Sequence, residues 1–313
     1  MKNTTSNPAI SPSFFVQRCM FLLCFYLMSP VIAHSAEPSP SSNVVKVKSI
    51  DVLRLFFKDI GYLETSWKNG QTIIPRFVFE GITNNWANKI SELPSKSKKS
   101  VFFRLITPLI LISNENILRE RHVVETASLN DKSLIDIAVK YRILPFNAKQ
   151  SEITLSEAQR FMLLERVDIL PPSLAVVQAA KESGWGTSRF AREGNALFGQ
   201  WDFTGEGIKP LLQREELGNY SIASFNTPLA SVEGYMLNIN TNEAYKDARR
   251  LRAEGRAKDQ IVKGIELAPT LDQYSETGKI YTDDLQKMIT FNELEILDTL
   301  TLSDETLIHL SNK

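Results

Sequence analysis

The sequence predicts a mainly α protein with a small β element. Apolar residues recur at helical spacings of three and four along most of the chain after residue 49. This pattern breaks between residue 201 and about residue 227, where glycines cluster and residues 220–225 alternate as a short strand does. We therefore expect a mainly α (α+β) fold that carries a small β-hairpin or lid.

Residues 1–36 are typical of a secretory signal peptide. They contain Lys2 and Arg18, no acidic residue, an apolar run over 19–33, and small residues after it. Because a run of this length that contains a proline is short for a membrane-spanning helix, cleavage is expected, and an uncleaved anchor is the alternative. The expected location is the periplasm or cell envelope.

The remaining chain is divided by composition and periodicity into three parts. Residues 37–48 are rich in Ser and Pro and indicate a linker, 49–129 an N-terminal helical module, and 130–313 a second, larger domain. Within the module, Phe77 and Ile82 are expected to be helical, and Pro108 is expected to kink or end a helix. The basic cluster at 96–99 is interpreted as a solvated loop, with contact to anionic lipid or wall polymer as the alternative.

Composition excludes several kinds of chemistry. Without residues 1–36 the chain has 34 basic and 36 acidic residues, so nothing favours nucleic acid binding. Cys19 and Cys24 are the only cysteines and lie in the signal, and His122 and His309 lack the spacing of metal ligands. No nucleotide-binding motif occurs, so no cofactor and no metal is expected. Carboxylate chemistry remains.

One helix ends in a glutamate suited to that chemistry. Pro172 is a favourable residue for a first helical turn, and Gly184 for the left-handed position after a helix. Between them Gln178, Ala179 and Glu182 share one face, since they are separated by one, three and four positions. Glu182 therefore lies in the last turn, beneath small and polar side chains.

The pKa of Glu182 is expected to be raised. The negative end of the helix dipole disfavours another negative charge, and partial burial beside Trp185 acts in the same direction. A carboxylic acid protonated near neutral pH is what a glycosidase needs to protonate a leaving oxygen. The alternative is a helix-end carboxylate paired with Arg189 or Arg192.

The stretch after this helix suits a sugar. Six of the fourteen glycines and two of the four tryptophans, Trp185 and Trp201, lie between residues 184 and 207, together with Phe198 and Phe203. Glycine lets a ligand approach the backbone closely, and flat aromatic faces pack against sugar rings. A helix end followed by a loop with core aromatics is the other interpretation.

Residues 178–188 and 195–199 together resemble the core motif of the glucosaminidase domain of glycoside hydrolase family 73. The Pro-Pro-Ser-Leu sequence at 171–174 and Phe-Gly-Gln-Trp at 198–201 are similar to those of its Bax-type members. The resemblance extends more weakly over about 130–295. It implies a lysozyme-like, mostly helical fold that hydrolyses β-1,4 bonds after N-acetylglucosamine in peptidoglycan. The family's catalytic acid corresponds to Glu182, and the implied partner is the peptidoglycan glycan strand.

The resemblance and the aromatic pattern together give a set of candidate substrate-binding residues. These are Gln178, Trp185, Asn195, Phe198, Gly199, Trp201, Tyr274 and Tyr281. Gln178 is expected either to bind an acetamido group or to orient Glu182, and Trp185 either to carry a sugar or to join the core. By resemblance, Tyr274 is the tyrosine that faces the cleft and Tyr281 one that docks a helix.

The sequence leaves the identity of a second catalytic carboxylate unassigned. The acidic residues of the irregular stretch are Asp202, Glu206, Glu215 and Glu216, and similarity to the family's lid favours Glu216, with Glu215 as the alternative. Substrate assistance by the 2-acetamido oxygen would need no second carboxylate. A lytic transglycosylase and a wall-binding module without catalysis are the rival functions, and peripheral membrane contact stays open.

Overall fold

The computed structural model describes residues 43–63, 65–82, 84–147, 153–213, 218 and 220–312. The predicted signal peptide, the first half of the linker, and both Glu215 and Glu216 lie outside the described residues.

Helices form most of the described chain. They are α1 (Ile50–Asp59), α2 (Asn84–Glu92), α3 (Ser95–Thr126), α4 (Lys132–Lys140), α5 (Glu157–Arg166), α6 (Pro172–Glu182), α7 (Arg189–Gly194), α8 (Pro228–Thr241), α9 (Lys246–Arg256), α10 (Gly264–Leu267) and α11 (Lys279–Phe291). Short 3₁₀ helices add Trp67–Asn69, Glu243–Tyr245, Ala268–Tyr274 and Leu294–Thr299. The predicted mainly α class is confirmed.

Three small sheets complete the architecture of this part of the chain. The strands are β1 (Asn43–Lys46), β2 (Ile73–Ile74), β3 (Phe77–Phe79), β4 (Trp201–Asp202), β5 (Ser221–Ile222), β6 (Thr301–Leu302) and β7 (Ile308–Ser311). β7 lies between β1 and β3 and is parallel to both, β2 pairs with β6, and β4 pairs antiparallel with β5. The two ends of the described chain therefore close on each other.

The region before residue 129 is less helical than its periodicity predicts. Phe77, expected in a helix, lies in β3 and pairs with Ile308 near the other end of the chain. Because this partner is more than two hundred residues away, local spacing carries no sign of the pairing.

The long helix α3 forms the centre of the fold. Its side chains from Ser100 to Asn114 are buried, and it packs against α4, α5, α6 and α8. Pro108 does not end it, since the helix continues for eighteen further residues, to Thr126. α3 is long and apolar enough to cross a membrane, but 78% of its most apolar window is buried inside the protein, as expected of a core helix.

One apolar core joins the two sides of the predicted boundary at 129/130. It runs from Val47 to Leu310 and includes Leu105 of α3 and Leu174 of α6. The boundary stays a prediction from sequence. Because α3 packs against α6 in this core, the residues before the boundary stabilise those after it, and the reverse.

Helix α5 buries one face and exposes a large aromatic side chain on the other. Ser156 and Gln159 form a capping box that starts it, and Leu163 and Leu164 pack on the core. Phe161 has 71% of its surface exposed. Two positions along a helix turn a side chain by about 200°, so the burial of Leu163 places Phe161 on the opposite face.

The predicted hairpin is confirmed in a short form. β4 and β5 pair through Trp201 with Ile222 and Asp202 with Ser221, and we call the connection between them, residues 203–220, the lid. The backbone approaches so closely at Gly207 that an added Cβ would lie 2.4 Å from the carbonyl oxygen of Ile222. Glycine is therefore required at this position.

Candidate active site

Helix α6 carries Glu182 at its last position. Pro172 begins the helix, and the residue before it provides no side-chain cap. Asp298, which is distant in sequence, caps the helix instead by accepting hydrogen bonds from the backbone N–H (2.8 Å) and hydroxyl (2.9 Å) of Ser173. At the other end Gly184 has a φ of +57°, as predicted for the position after a helix, and Trp185 follows at +62°. Both ends of the helix are therefore fixed.

The carboxyl of Glu182 is half-buried and contacts one tyrosine. The hydroxyl of Tyr281 in α11 donates a hydrogen bond to Glu182 Oε1 at 2.7 Å. The other oxygen, Oε2, lies 3.5 Å from where a Cβ on Gly199 would stand, and Gly199 has a φ of +61°. Because Gly199 has no side chain, the space beside Oε2 stays open.

Burial raises the pKa of Glu182 above its usual value. The hydrogen bond from Tyr281 and the charge of Lys181 act in the opposite direction. Lys181 is itself paired with Asp284 at 3.0 Å. The direction agrees with the sequence-based expectation.

A buried polar chain leads from the core to this carboxyl. The hydroxyl of Tyr235 donates to Gln178 Oε1 at 2.5 Å, and Gln178 Nε2 donates to the Tyr281 oxygen at 3.1 Å. The Tyr281 hydroxyl then donates to Glu182. Since Gln178 is fully buried and both ends of its amide are used, the structure favours its orienting role over direct contact with an acetamido group.

Aromatic stacking holds this chain in place. The ring of Phe198 stacks on Tyr235 at 3.9 Å, and Tyr274 stacks on Tyr281 at 5.7 Å, each pair within 7° of parallel. The Tyr274 hydroxyl donates to the carbonyl oxygen of Phe198 at 2.8 Å. Tyr281, assigned by resemblance to helix docking, is thus the tyrosine that contacts Glu182; Tyr274 as a cleft residue stays a prediction.

Trp185 lies against the central helix. Its ring meets Phe102 at 5.8 Å and Phe103 at 5.5 Å, both edge-on. The side chain is half-buried rather than enclosed, so a role at the sugar and a role in packing are compatible.

The remaining predicted contacts lie around the lid. Asn195 ends α7 with a φ of +50°, and its Nδ2 donates to the carbonyl oxygen of Phe225 at 3.0 Å. The half-buried ring of Trp201 stacks on Tyr220 at 4.9 Å. Substrate binding by Asn195 and Trp201 stays a prediction.

Comparison with known proteins gives a family match over the region that contains the candidate site. The family model described as "Mannosyl-glycoprotein endo-beta-N-acetylglucosaminidase" matches residues 158–294, which include Glu182 and Tyr281. The protein named Protein bax of Escherichia coli (strain K12) is 33% identical over 219 residues, covering 66% of this chain and 76% of that protein. The chain belongs to the glucosaminidase family, glycoside hydrolase family 73. No solved structure matches.

Membership in the glucosaminidase family supports a glycoside hydrolase that acts on a glycan. The expected fold, mainly α and lysozyme-like with a small lid, is confirmed. The matched region begins inside α5 and excludes α3, whose side chains nonetheless pack directly against the helix that carries Glu182.

The glutamate of this glucosaminidase domain has no cationic partner at ion-pair distance among the described residues. Arg189 pairs with Glu193 at 3.0 Å and also donates to the carbonyl oxygen of Lys209. The structure therefore does not support the alternative in which an arginine neutralises Glu182.

Asp202 is an unsuitable second carboxylate. It accepts hydrogen bonds from Thr204, Gly205, Gly207 and Ser221. Burial raises its pKa, but the hydrogen bonds from Thr204, Ser221 and Gly207 outweigh that effect and lower the pKa to about 2. A carboxylate with all of these partners shapes the start of the lid.

The preferred candidates Glu216 and Glu215 lie outside the described residues, so their role stays a prediction. Glu206 is described and is exposed on the lid. Within the described part of the chain, no group of three His, Cys, Asp or Glu side chains is arranged to hold a metal ion.

Two surface cavities lie elsewhere and contain none of the predicted site residues. One is lined by residues that include Arg121 and Arg256, and the other by residues that include Leu251 and Lys263. The candidate site is defined by its chemistry rather than by either cavity.

Sequence reasoning missed two polar groups that support the site. Tyr235 lies 57 residues from its partner Gln178, and Asp298 lies 125 residues from Ser173. The only signal in the sequence was weak: a polar atom on an otherwise apolar helix face requires a partner when it is buried.

Proposed function

We propose that this protein is an exported peptidoglycan hydrolase that cleaves the β-1,4 bond after N-acetylglucosamine, with Glu182 as general acid. The observation that carries the proposal is the placement of Glu182: a half-buried carboxyl with a raised pKa, one tyrosine donor, and open space beside its second oxygen. The family match supports the glycan substrate.

The two oxygens of Glu182 have different roles in this proposal. Oε1 accepts from Tyr281, so Oε2 carries the acidic proton toward the space left by Gly199. Oε2 gives that proton to the glycosidic oxygen as the bond to the anomeric carbon breaks. The hydrogen bond from Tyr281 then stabilises the carboxylate that forms, because it favours the charged form.

Hydrolysis is completed by a water molecule that adds to the anomeric carbon. Either a lid carboxylate, Glu216 or Glu215, activates that water or forms the glycosyl intermediate, or the substrate's acetamido oxygen attacks first. When the lid carboxylate or the acetamido oxygen forms an intermediate, Glu182 accepts the proton that the water loses and so returns to its acid form. When the lid carboxylate acts as the base, it takes that proton itself.

The proposed location is the periplasm or cell envelope. It rests on the signal-like composition of residues 1–36. Expression of the full chain with and without this segment, followed by fractionation, tests it; recovery of both forms in the cytoplasm would contradict export.

Digestion of purified peptidoglycan sacculi tests the reaction. We expect soluble fragments with reducing N-acetylglucosamine ends in mass spectra, and no such fragments from Glu182→Gln. Glu193→Gln is the matched control, since Glu193 is an exposed carboxylate on the neighbouring helix α7. Fragments with 1,6-anhydro ends would show a lytic transglycosylase, and binding without release would show a wall-binding module.

A further inference from the structure

Lys99, near the start of α3, is held between two aromatic rings. Its Nζ lies 5.4 Å from the ring centre of Trp185 and 5.1 Å from that of Phe291, and donates to Asn292 Oδ1 at 3.3 Å. Both ring distances are within the range of cation–π attraction. The central helix, the loop after α6 and the end of α11 therefore meet at one cation.

The positive charge of Lys99 is not neutralised by a carboxylate among the ion pairs of the described residues. Two acidic residues of this part of the chain have other partners. Glu293, two positions after Phe291, pairs with Lys68, and Asp284, earlier in α11, pairs with Lys181. The amide of Asn292 is neutral, so it orients the ammonium without cancelling its charge.

Helix stability does not explain a lysine at this place. Lys96, Lys98 and Lys99 stand at the positive end of the α3 dipole, with no acidic residue in the first turn and no side-chain cap. Positive charge there is unfavourable. The sequence predicts a solvated loop for this cluster; the cluster is instead helical, and Lys99 is half-buried.

The rings around Lys99 also connect it to the candidate active site. Trp185 follows Glu182 by three residues, which limits their Cα separation to about 11 Å. Phe291 has 79% of its surface exposed. A flat apolar surface beside an uncompensated cation is suited to a sugar that bears a negative group.

We propose that Lys99, with Trp185 and Phe291, forms a subsite for a carboxylate carried by the glycan, so that the enzyme prefers an acidic strand to a neutral one. This rests on the proposed hydrolysis at Glu182. The carboxylate is either on the sugar itself or on a peptide attached to it, and both sources have the same recognising chemistry.

The test compares one polymer in two charge states. Peptidoglycan strands are used intact and after their carboxylates have been converted to neutral amides. We expect the wild-type kcat/KM to be about tenfold lower on the amidated strands, the size that one charge-assisted contact gives. Lys99→Gln should cleave both strands at the lower rate, and Lys99→Arg should keep the preference.

Lys98→Gln is the matched control, because Lys98 lies one position earlier on the helix and points about 100° away. It should keep the wild-type preference. Thermal unfolding of each variant checks that the fold is kept. If Lys99 had only a structural role, Lys99→Gln would lower the rates on both strands by the same factor, and the preference would remain. Strands freed of peptides by an amidase carry a carboxylate on the sugar alone, because hydrolysis of the sugar–peptide amide leaves one there. A wild-type preference for these strands over their amidated form shows that the subsite accepts a sugar carboxylate. The absence of such a preference, when the intact strands are still preferred to theirs, places the recognised carboxylate on the peptide.

Equal wild-type rates on the two strands would overturn the inference, as would a preference that persists in Lys99→Gln. A Lys99→Gln variant that keeps the wild-type preference for the intact strands but no longer binds vesicles of anionic phospholipid would also overturn the inference. It would show that Lys99 contacts a membrane. No cleavage of either strand by the wild type would instead overturn the proposed function and, with it, this subsite.

Discussion

The two ends of helix α6 each meet a half-buried carboxyl, and partial burial raises the pKa of both. Asp298, at the start of α6, accepts from the N–H and hydroxyl of Ser173 and from the N–H of Gly264. Glu182, at the end, accepts one hydrogen bond, from Tyr281. A raised pKa alone therefore does not distinguish the proposed acid from a structural carboxyl. What distinguishes Glu182 is that it has one internal donor and open space beside its second oxygen.

Glu182→Gln gives the largest expected effect. Loss of a general acid should lower kcat on sacculi by about 10²–10⁴-fold. The fold should not be weakened: because the pKa of Glu182 is raised in the folded state, its charged form is disfavoured there at high pH. The variant should equal the wild type in urea unfolding below about pH 4 and be as stable or more stable at pH 7. Retained lysis would remove Glu182 from the reaction.

Asp298→Ala should show the opposite pattern. It leaves three buried donors of α6 and α10 without their acceptor, so we expect a loss of about 1–3 kcal/mol in the free energy of unfolding. The kcat of the folded fraction should be unchanged. Asp298→Asn, which keeps one acceptor oxygen, should lose less. A variant that unfolds like the wild type but has lost kcat would show that the comparison between the two carboxyls is wrong.

Tyr281→Phe should sharpen the description of Glu182. Removing the donor raises the pKa of the carboxyl further, because the hydrogen bond favours its charged form. The alkaline limb of the pH–rate profile should move to higher pH, while kcat falls about tenfold through weaker stabilisation of the carboxylate. Tyr274→Phe is the matched control, since its hydroxyl contacts the backbone of Phe198. A lower kcat with an unmoved alkaline limb would indicate a purely structural Tyr281.

Asp202 is a third carboxyl, and its pKa is lowered where those of Glu182 and Asp298 are raised. Its pKa is lowered from 3.8 to about 2, so its charged form stabilises the fold above pH 3.8, and that contribution is lost as pH falls toward 2. Asp202→Asn should cost on the order of 1–2 kcal/mol in urea unfolding at pH 7, with a smaller difference at pH 3. A cost that is independent of pH would show that its charge is irrelevant to the lid.

Local signals are sufficient to predict helix α6 and the position of Glu182 at its end. Pro172 and Gly184 mark its ends within the segment itself, and Glu182 follows from spacing and resemblance. The alternating residues 220–225 predicted the lid strand for the same reason, since strand periodicity is local.

Contacts between distant segments were not predictable in this way. Tyr281 is 99 residues from Glu182, and Phe77 pairs with Ile308. Lys99 reads as an ordinary surface charge until helix α11 places Phe291 beside it. Each of these depends on how elements pack, which neither propensity nor spacing specifies.

Chelation of metal ions should have the smallest effect on activity. It tests whether any of these carboxyls binds a metal ion rather than transferring a proton. Glu182 stands with tyrosines and a glutamine, and the described residues contain no cluster of three ligand-type side chains. Lysis of sacculi should therefore be unchanged within error after dialysis against EDTA. Loss of activity that returns with one added divalent ion would mean that a metal supports the reaction, and Glu182 would then have to be tested as its ligand rather than as the acid.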